Sequence, residues 1–187
     1  MYNLLMDLIL ASSSPRRSEL LSKMNRKFKI VPSDCCEYSF AASPRDVALE
    51  LACRKAMNVF LKNGAAAVIG CDTVVDLDGE VLGKPKDAQE AVSTLKRLSG
   101  RSHEVHTGVC IAYEKGILLF SDTSKVQFKV LDCEQIDKYV STGSPMDKAG
   151  AYGIQDSGFV SEIIGSYTNV MGFPVEKIEC ALKNIIK

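Results

Sequence analysis

A chain of 187 residues, 46% hydrophobic and 25% charged, has the length and apolar content of one well-packed domain and none of the bias of a disordered segment. Lys plus Arg and Asp plus Glu number 23 each, and this balance excludes the basic footprint of a general nucleic-acid or membrane-surface binder, leaving a small molecule as the expected target. Seven cysteines form no C-x-x-C pair and Cys35 and Cys36 are adjacent, which argues against a disulfide framework or zinc site and for the reduced thiols of a cytoplasmic protein.

The opening run Leu4 to Ala11 is apolar, but it has no basic flank before it, carries Asp7 and has its arginines behind it, so it does not read as a secretion signal. Leu8 to Ala11 is the first strand. Ser12-Ser13-Ser14-Pro15-Arg16-Arg17 follows, a turn in which Ser14 is the expected N-cap and Pro15 the first helical residue. Arg16 and Arg17 then stand in the first turn, where the helix dipole favours anions over cations. Two readings stay open: free N–H groups, three hydroxyls and two guanidiniums hold a phosphate, or the helix is capped and its arginines are merely solvated.

Phe28 to Val31 alternates like a short strand and ends in a polar loop that carries Glu37. Ser43-Pro44 starts a helix to Lys62 whose stripe of Ala48, Leu51, Ala52, Ala56 and Val59 includes Lys55, a lysine that either snorkels to the edge or aims into a cleft. Ala65 to Val75 is a β-branched run interrupted by Asp72, which needs a cation or metal partner unless it lies at an edge or bulge. Asp78-Gly79 should turn Val74 to Leu77 back onto Glu80 to Leu82. Gly83-Lys84-Pro85 is a hinged lysine or a plain turn.

Asp87 caps a helix that Gly100 stops, and His103 to Tyr113 and Ile117 to Val130 read as a long hairpin. Three residues apart on a strand, His103 and His106 face opposite ways, which rejects them as a paired metal site. A helix from Asp132 to Thr142, a polar loop from Ser144 to Ser157, a strand from Phe159 to Ile164 and a helix from Pro174 complete the chain. No stretch approaches a membrane span, and no repeat or linker divides the chain. The expected architecture is a single α/β domain, residues 1–187, with a mixed, twisted sheet flanked by helices and a deep cleft between two lobes.

Five motifs occur together and in order: Ser12-x-Ser14-Pro15-Arg16-Arg17-x-Glu19-Leu20-Leu21, Asp72-Thr73-Val74-Val75, Gly83-Lys84-Pro85, Leu98-Ser99-Gly100-x-x-His103, and Asp147 to Gln155. In these the chain resembles, nearly end to end, the Maf family of nucleoside triphosphate pyrophosphatases. The resemblance implies hydrolysis of a nucleoside triphosphate to monophosphate and pyrophosphate, a divalent cation (Mg²⁺ or Mn²⁺), a fold like that of inosine triphosphatases and a homodimer. It makes Asp72 the catalytic carboxylate, binding the metal or taking the proton of the attacking water, and Glu37 the second metal carboxylate. Lys55 and Lys84 would neutralise the triphosphate, and Ser12, Ser14, Arg16 and Arg17 would hold it. One departure is Cys36, where relatives often carry an acid, so the number of carboxylates around the metal is open. Arg16, Thr73 and Gln155 side with the family's dTTP and UTP branch rather than its 7-methyl-GTP branch, and the Gln155 amide suits a pyrimidine's donor-acceptor edge. The alternatives are a 7-methyl-GTP pyrophosphatase and a non-catalytic nucleotide-binding regulator of cell division.

Overall fold

The computed structural model describes residues 7–64 and 66–185; Leu4 to Met6 of the opening apolar run and Ala65 of the third strand lie outside them. Its elements in chain order are β1 Leu8–Leu10, α1 Pro15–Ser22, β2 Lys29–Ile30, α2 Pro44–Asn63, β3 Ala67–Leu77, β4 Glu80–Leu82, α3 Ala88–Leu98, β5 Ser102–Tyr113, β6 Gly116–Phe128, α4 Cys133–Ser141, β7 Val160–Ile164, α5 Tyr167–Val170 and α6 Val175–Ile185. Short 3₁₀ turns at Ser144–Asp147 and Ala149–Ala151 punctuate the loop between α4 and β7. The sheet runs β2-β1-β3-β5-β6-β7, with β4 also on β3. It is mixed, because β1 pairs parallel to β2 and β3 while the β3–β5, β5–β6 and β6–β7 pairs are antiparallel.

The Asp78-Gly79 turn forms as its residue types demand, with φ of 57° and 87°, and sets Val75 opposite Leu82 and Leu77 opposite Glu80. Some expectations shift. The strand expected over Phe28 to Val31 shrinks to two exposed residues at the sheet edge, where only one neighbour can pair with it. β3 runs unbroken through Asp72, because β5 pairs with it continuously from Val68 to Asp76. Helix α5 is an addition: Ser166 caps it by accepting from the Asn169 N–H, a one-turn signal too short to show as periodicity.

Each face of the sheet has its own cover. One face is packed by α2, whose Ala52, Ala56 and Val59 lie against Val68, Cys110 and Ala112. The approach is close because the facing strand positions are glycine: a Cβ on Gly70 would stand 2.4 Å from the Ala52 carbonyl oxygen, and one on Gly108 2.2 Å from that of Ala48. On the opposite face the core divides. Leu20 and Leu21 of α1 and Ile178 and Leu182 of α6 pack on Ile69, Cys71 and Val109, whereas Leu95 and Leu98 of α3 and Ile136 of α4 pack around Val75, Leu77 and Phe128. Between these two cores lies the cleft.

Candidate active site

The site follows from a gap in the sheet. Along one edge of β3, β1 covers Ala67 to Ile69 and β4 covers Val75 to Leu77, leaving Gly70 to Val74 without a strand neighbour on that side. The Cys71 carbonyl, which would continue the ladder, accepts instead from Arg17 Nη1 at 2.8 Å. A cleft of about 290 Å³ enters here, at the carboxyl end of β1, where ligand crevices of open α/β sheets lie. Because it wraps a free strand edge, the cleft receives side chains from both faces of the sheet, Asp72 from one and Thr73 from the other.

At its floor stands a buried ammonium shared by two carboxylates. Lys55 Nζ lies 2.5 Å from Asp72 Oδ1 and 2.7 Å from Glu37 Oε1, and Lys84 Nζ lies 3.7 Å from Glu37 Oε2. Lys55 therefore aims inward, meeting Asp72 on the sheet face that α2 covers. Burial opposes its charge, but Asp72 and Glu37 more than offset this and hold the ammonium above its ordinary pKa. Lys55 in turn holds Glu37 below the usual carboxylate range, with Lys84 adding to the effect.

Helix α1 supplies the next wall, and its cations differ in what they do. Ser14 stands at the N-cap with extended backbone, yet its hydroxyl caps no N–H; its own N–H donates to Ser12 Oγ at 3.2 Å. Arg17 is spent internally: it donates to the Gly172 carbonyl, Ser12 Oγ, the Cys71 carbonyl and Thr73 Oγ1 at 2.9, 3.3, 2.8 and 3.1 Å. It braces α1 to β3 and fixes both hydroxyls. Arg16 reaches across the cleft to Asp147 at 3.2 Å. Thr73 continues inward through Thr107, whose hydroxyl donates to the Asn169 carbonyl at 2.9 Å.

The far wall is the loop after α4. Asp147, Lys148, Tyr152, Gly153, Ile154 and Gln155 line it, and Gln155 is exposed at the mouth. Lys148 was not singled out in sequence; its Nζ is held by the Ser144 carbonyl at 2.5 Å and Asp147 Oδ1 at 2.7 Å. Its sequence signal was its place in the polar loop and in the Asp147 to Gln155 motif. His103 stands behind this wall, its Nε2 2.8 Å from the Tyr152 hydroxyl, and burial lowers its pKa to about 4. Five cationic side chains line the cleft (Arg16, Arg17, Lys55, Lys84, Lys148) against three carboxylates (Glu37, Asp72, Asp147). That excess suits a polyanion.

The donor set at the floor fits a divalent cation of the phosphate-binding kind, which takes one or two protein carboxylates and completes its shell with substrate oxygens and water. Asp72 and Glu37 would be those two carboxylates. A separate group, Asp76, Glu104 and His106, brings three potential ligand atoms within 4.8 Å of one another, outside the residues that line the cleft. His106 Nε2 donates to Asp76 Oδ2 at 3.2 Å and its Nδ1 bonds Thr123 Oγ1 at 2.9 Å, on the sheet face opposite His103, as the strand alternation requires.

Fold and site together define an α/β protein with a cation-rich cleft built around a carboxylate–lysine–carboxylate cluster. The Maf-like protein family model matches residues 7–185, and the chain belongs to that family. It is 51% identical over 174 residues to a dTTP/UTP pyrophosphatase of Thermococcus kodakarensis, covering 91% of this chain and 93% of the relative. A dTTP/UTP pyrophosphatase of Aquifex aeolicus is 43% identical over 182 residues, 96% of each chain. Among solved structures, the Ham1 protein of Staphylococcus aureus superposes with a TM-score of 0.56 over 96% of this chain and 99% of its own, at 10% identity, a likeness of fold.

Proposed function

We propose that the protein hydrolyses UTP and dTTP to the monophosphate and pyrophosphate, as a divalent-metal-dependent, cytoplasmic homodimer that clears pyrimidine nucleotides from the pool. The observation that carries this reading is Lys55, buried and shared by Asp72 and Glu37 at the floor of a cleft rich in cations. The printed activity of the relatives supports it, and seven free thiols suit a reducing compartment.

In the mechanism, residues Ser12 to Arg16 at the α1 N-terminus and Lys84 hold the triphosphate, using N–H groups, hydroxyls and charge. Asp72 takes a proton from the attacking water as its oxygen bonds to the α-phosphorus; the bond to the bridging oxygen breaks and pyrophosphate leaves with its electron pair. Lys55 orients the Asp72 carboxylate and offsets charge accumulating on the phosphoryl oxygens. A cation held by Asp72 and Glu37 would neutralise phosphate oxygens and acidify a bound water. Gln155 at the mouth pairs with the base edge, while the phosphates carry no base information.

A nucleotide panel with Mg²⁺, resolving phosphate from pyrophosphate, tests this. UTP and dTTP should turn over fastest and release pyrophosphate. Orthophosphate as product, a preference for 7-methyl-GTP, or tight binding without turnover would each overturn the reading, the last in favour of a regulator.

A further inference from the structure

Glu37 is the one member of the floor cluster that no regular element carries. Among the described residues, no backbone group from Pro32 to Ala42 pairs with another backbone group, so the segment is held by side chains alone. The ties nearest Glu37 come from two residues one turn apart on α2. Arg54 Nη1 donates to the Cys36 carbonyl at 3.1 Å and to the Tyr38 carbonyl at 2.5 Å, the two carbonyls that flank Glu37. Arg54 Nη2 is fixed by Glu50 Oε1, and the second oxygen of Glu50 accepts from Ser39 Oγ at 2.5 Å.

We propose that Arg54, steadied by Glu50, is the positioning residue for Glu37. The inference rests on the metal-dependent reading above, and its physical reason lies in what substrate does to the site. Without substrate, Glu37 is held by its ion pairs with Lys55 and Lys84. Those two ammoniums are the groups that a triphosphate engages, so the ion pairs weaken when the carboxylate is needed. The Arg54 bonds are to main-chain oxygens outside the cleft and do not compete with phosphate; they keep Glu37 over the floor through the cycle. Arg54 touches neither substrate nor metal. Its place, one residue before Lys55, means that a single helical turn sets both the buried ammonium and the carboxylate that shares it.

The test compares Arg54→Met, which keeps the apolar stem, with Arg54→Lys and Glu37→Gln. Measured quantities are the Mg²⁺ concentration for half-maximal UTP hydrolysis, the rate of limited chymotrypsin cleavage at the exposed Tyr38 and Phe40, and thermal melting. Arg54→Met should raise the half-saturating Mg²⁺ by roughly 10-fold or more, the usual effect of losing a residue that orients a ligand. It should speed cleavage at Tyr38 and Phe40 while the melting temperature holds, and Arg54→Lys should recover part of both. In a Glu37→Gln background the same substitution should change turnover by less than about twofold, because its effect runs through Glu37. If Arg54→Met melts early, Glu50→Gln releases the guanidinium without removing it and should give the same pattern, smaller. Unchanged loop cleavage, or a full multiplicative loss on top of Glu37→Gln, overturns the proposal. A wild type that hydrolyses no nucleotide defeats the functional reading instead, and loop cleavage alone then decides the clamp.

Discussion

At the scale of single residues, the anomalies are charges placed where burial penalises them, and each is answered by a partner. Asp72 is 8% exposed and is met by Lys55, so removing its charge should disable the site more than the fold. Asp72→Asn is expected to cut single-turnover hydrolysis by about 100-fold or more, with Glu37 still bonded to Lys55 and the melting temperature little changed. Normal turnover in a folded variant would move Asp72 from chemistry to structure. Gln155→Ala should lower kcat/KM for UTP by roughly 5- to 150-fold while sparing triphosphate affinity, since a lost base contact is worth about 1 to 3 kcal/mol. Lys84→Ala should weaken UTP and GTP alike; competition assays on both variants separate base from phosphate recognition. His103 makes a pH prediction. Its folded pKa, about 4, lies below its ordinary 6.5, so its contribution is complete above pH 6.5 and is lost as pH falls toward 4. Acid should thus remove on the order of 3 kcal/mol through this residue, and that slope should vanish from the stability-versus-pH curve of His103→Phe.

Among the elements, α2 does the most to place the chemistry. It presents Lys55 to the floor and Arg54 to the Glu37 loop, and both depend on how near its axis lies to β3 and β5. That nearness is set by Gly70 and Gly108, so Gly108→Ala, whose Cβ would meet the Ala48 carbonyl oxygen at 2.2 Å, must push the helix outward. A loss of roughly 1 to 3 kcal/mol or more in denaturant melts is expected, with a fall in kcat that Asp72 and Lys84 cannot explain, since neither is altered. A variant with wild-type stability and turnover would show that the helix has slack. Helix α1 works differently. Its Arg17 bonds to Ser12 before the helix, to β3 and to Gly172, so it acts as a brace as well as a cation, and it does not stand free in the cleft beside Arg16.

For the molecule as a whole, the cleft is the seam between two cores on one face of a shared sheet. A ligand that spans it, from α1 to the Asp147–Gln155 loop, ties the two together. A non-hydrolysable UTP analogue with Mg²⁺ at 100 times its Kd should therefore stabilise the fold by about 2.7 kcal/mol, a rise of roughly 5 to 10 °C in Tm. The shift should shrink with added salt, because five cations against three carboxylates line the site. The same concentration of a GTP analogue should raise Tm less. Equal shifts from both would remove the base contact from the reading.

Local order was legible wherever chemistry acts over a few residues. Ser43, Asp87 and Asp132 cap the helices they precede, the Asp78-Gly79 turn has the positive φ its residues allow, and the long hairpin pairs from Gly116 to Gln127, its second strand ending at Phe128 short of the expected Val130. The motif residues of the candidate site were legible too, because an aspartate in an apolar strand and a lysine in an apolar stripe each break a local pattern. What the sequence could not determine is which of those breaks meet. Lys55, Asp72 and Glu37 are brought together by a helix lying on glycines, a strand edge left bare between β1 and β4, and a loop tied down by Arg54. Arg54 breaks no local pattern, since its partners there are main-chain carbonyls that any residue supplies. Pairings of that kind leave no mark in one dimension; they exist only once the sheet has closed and the chain has folded back upon it.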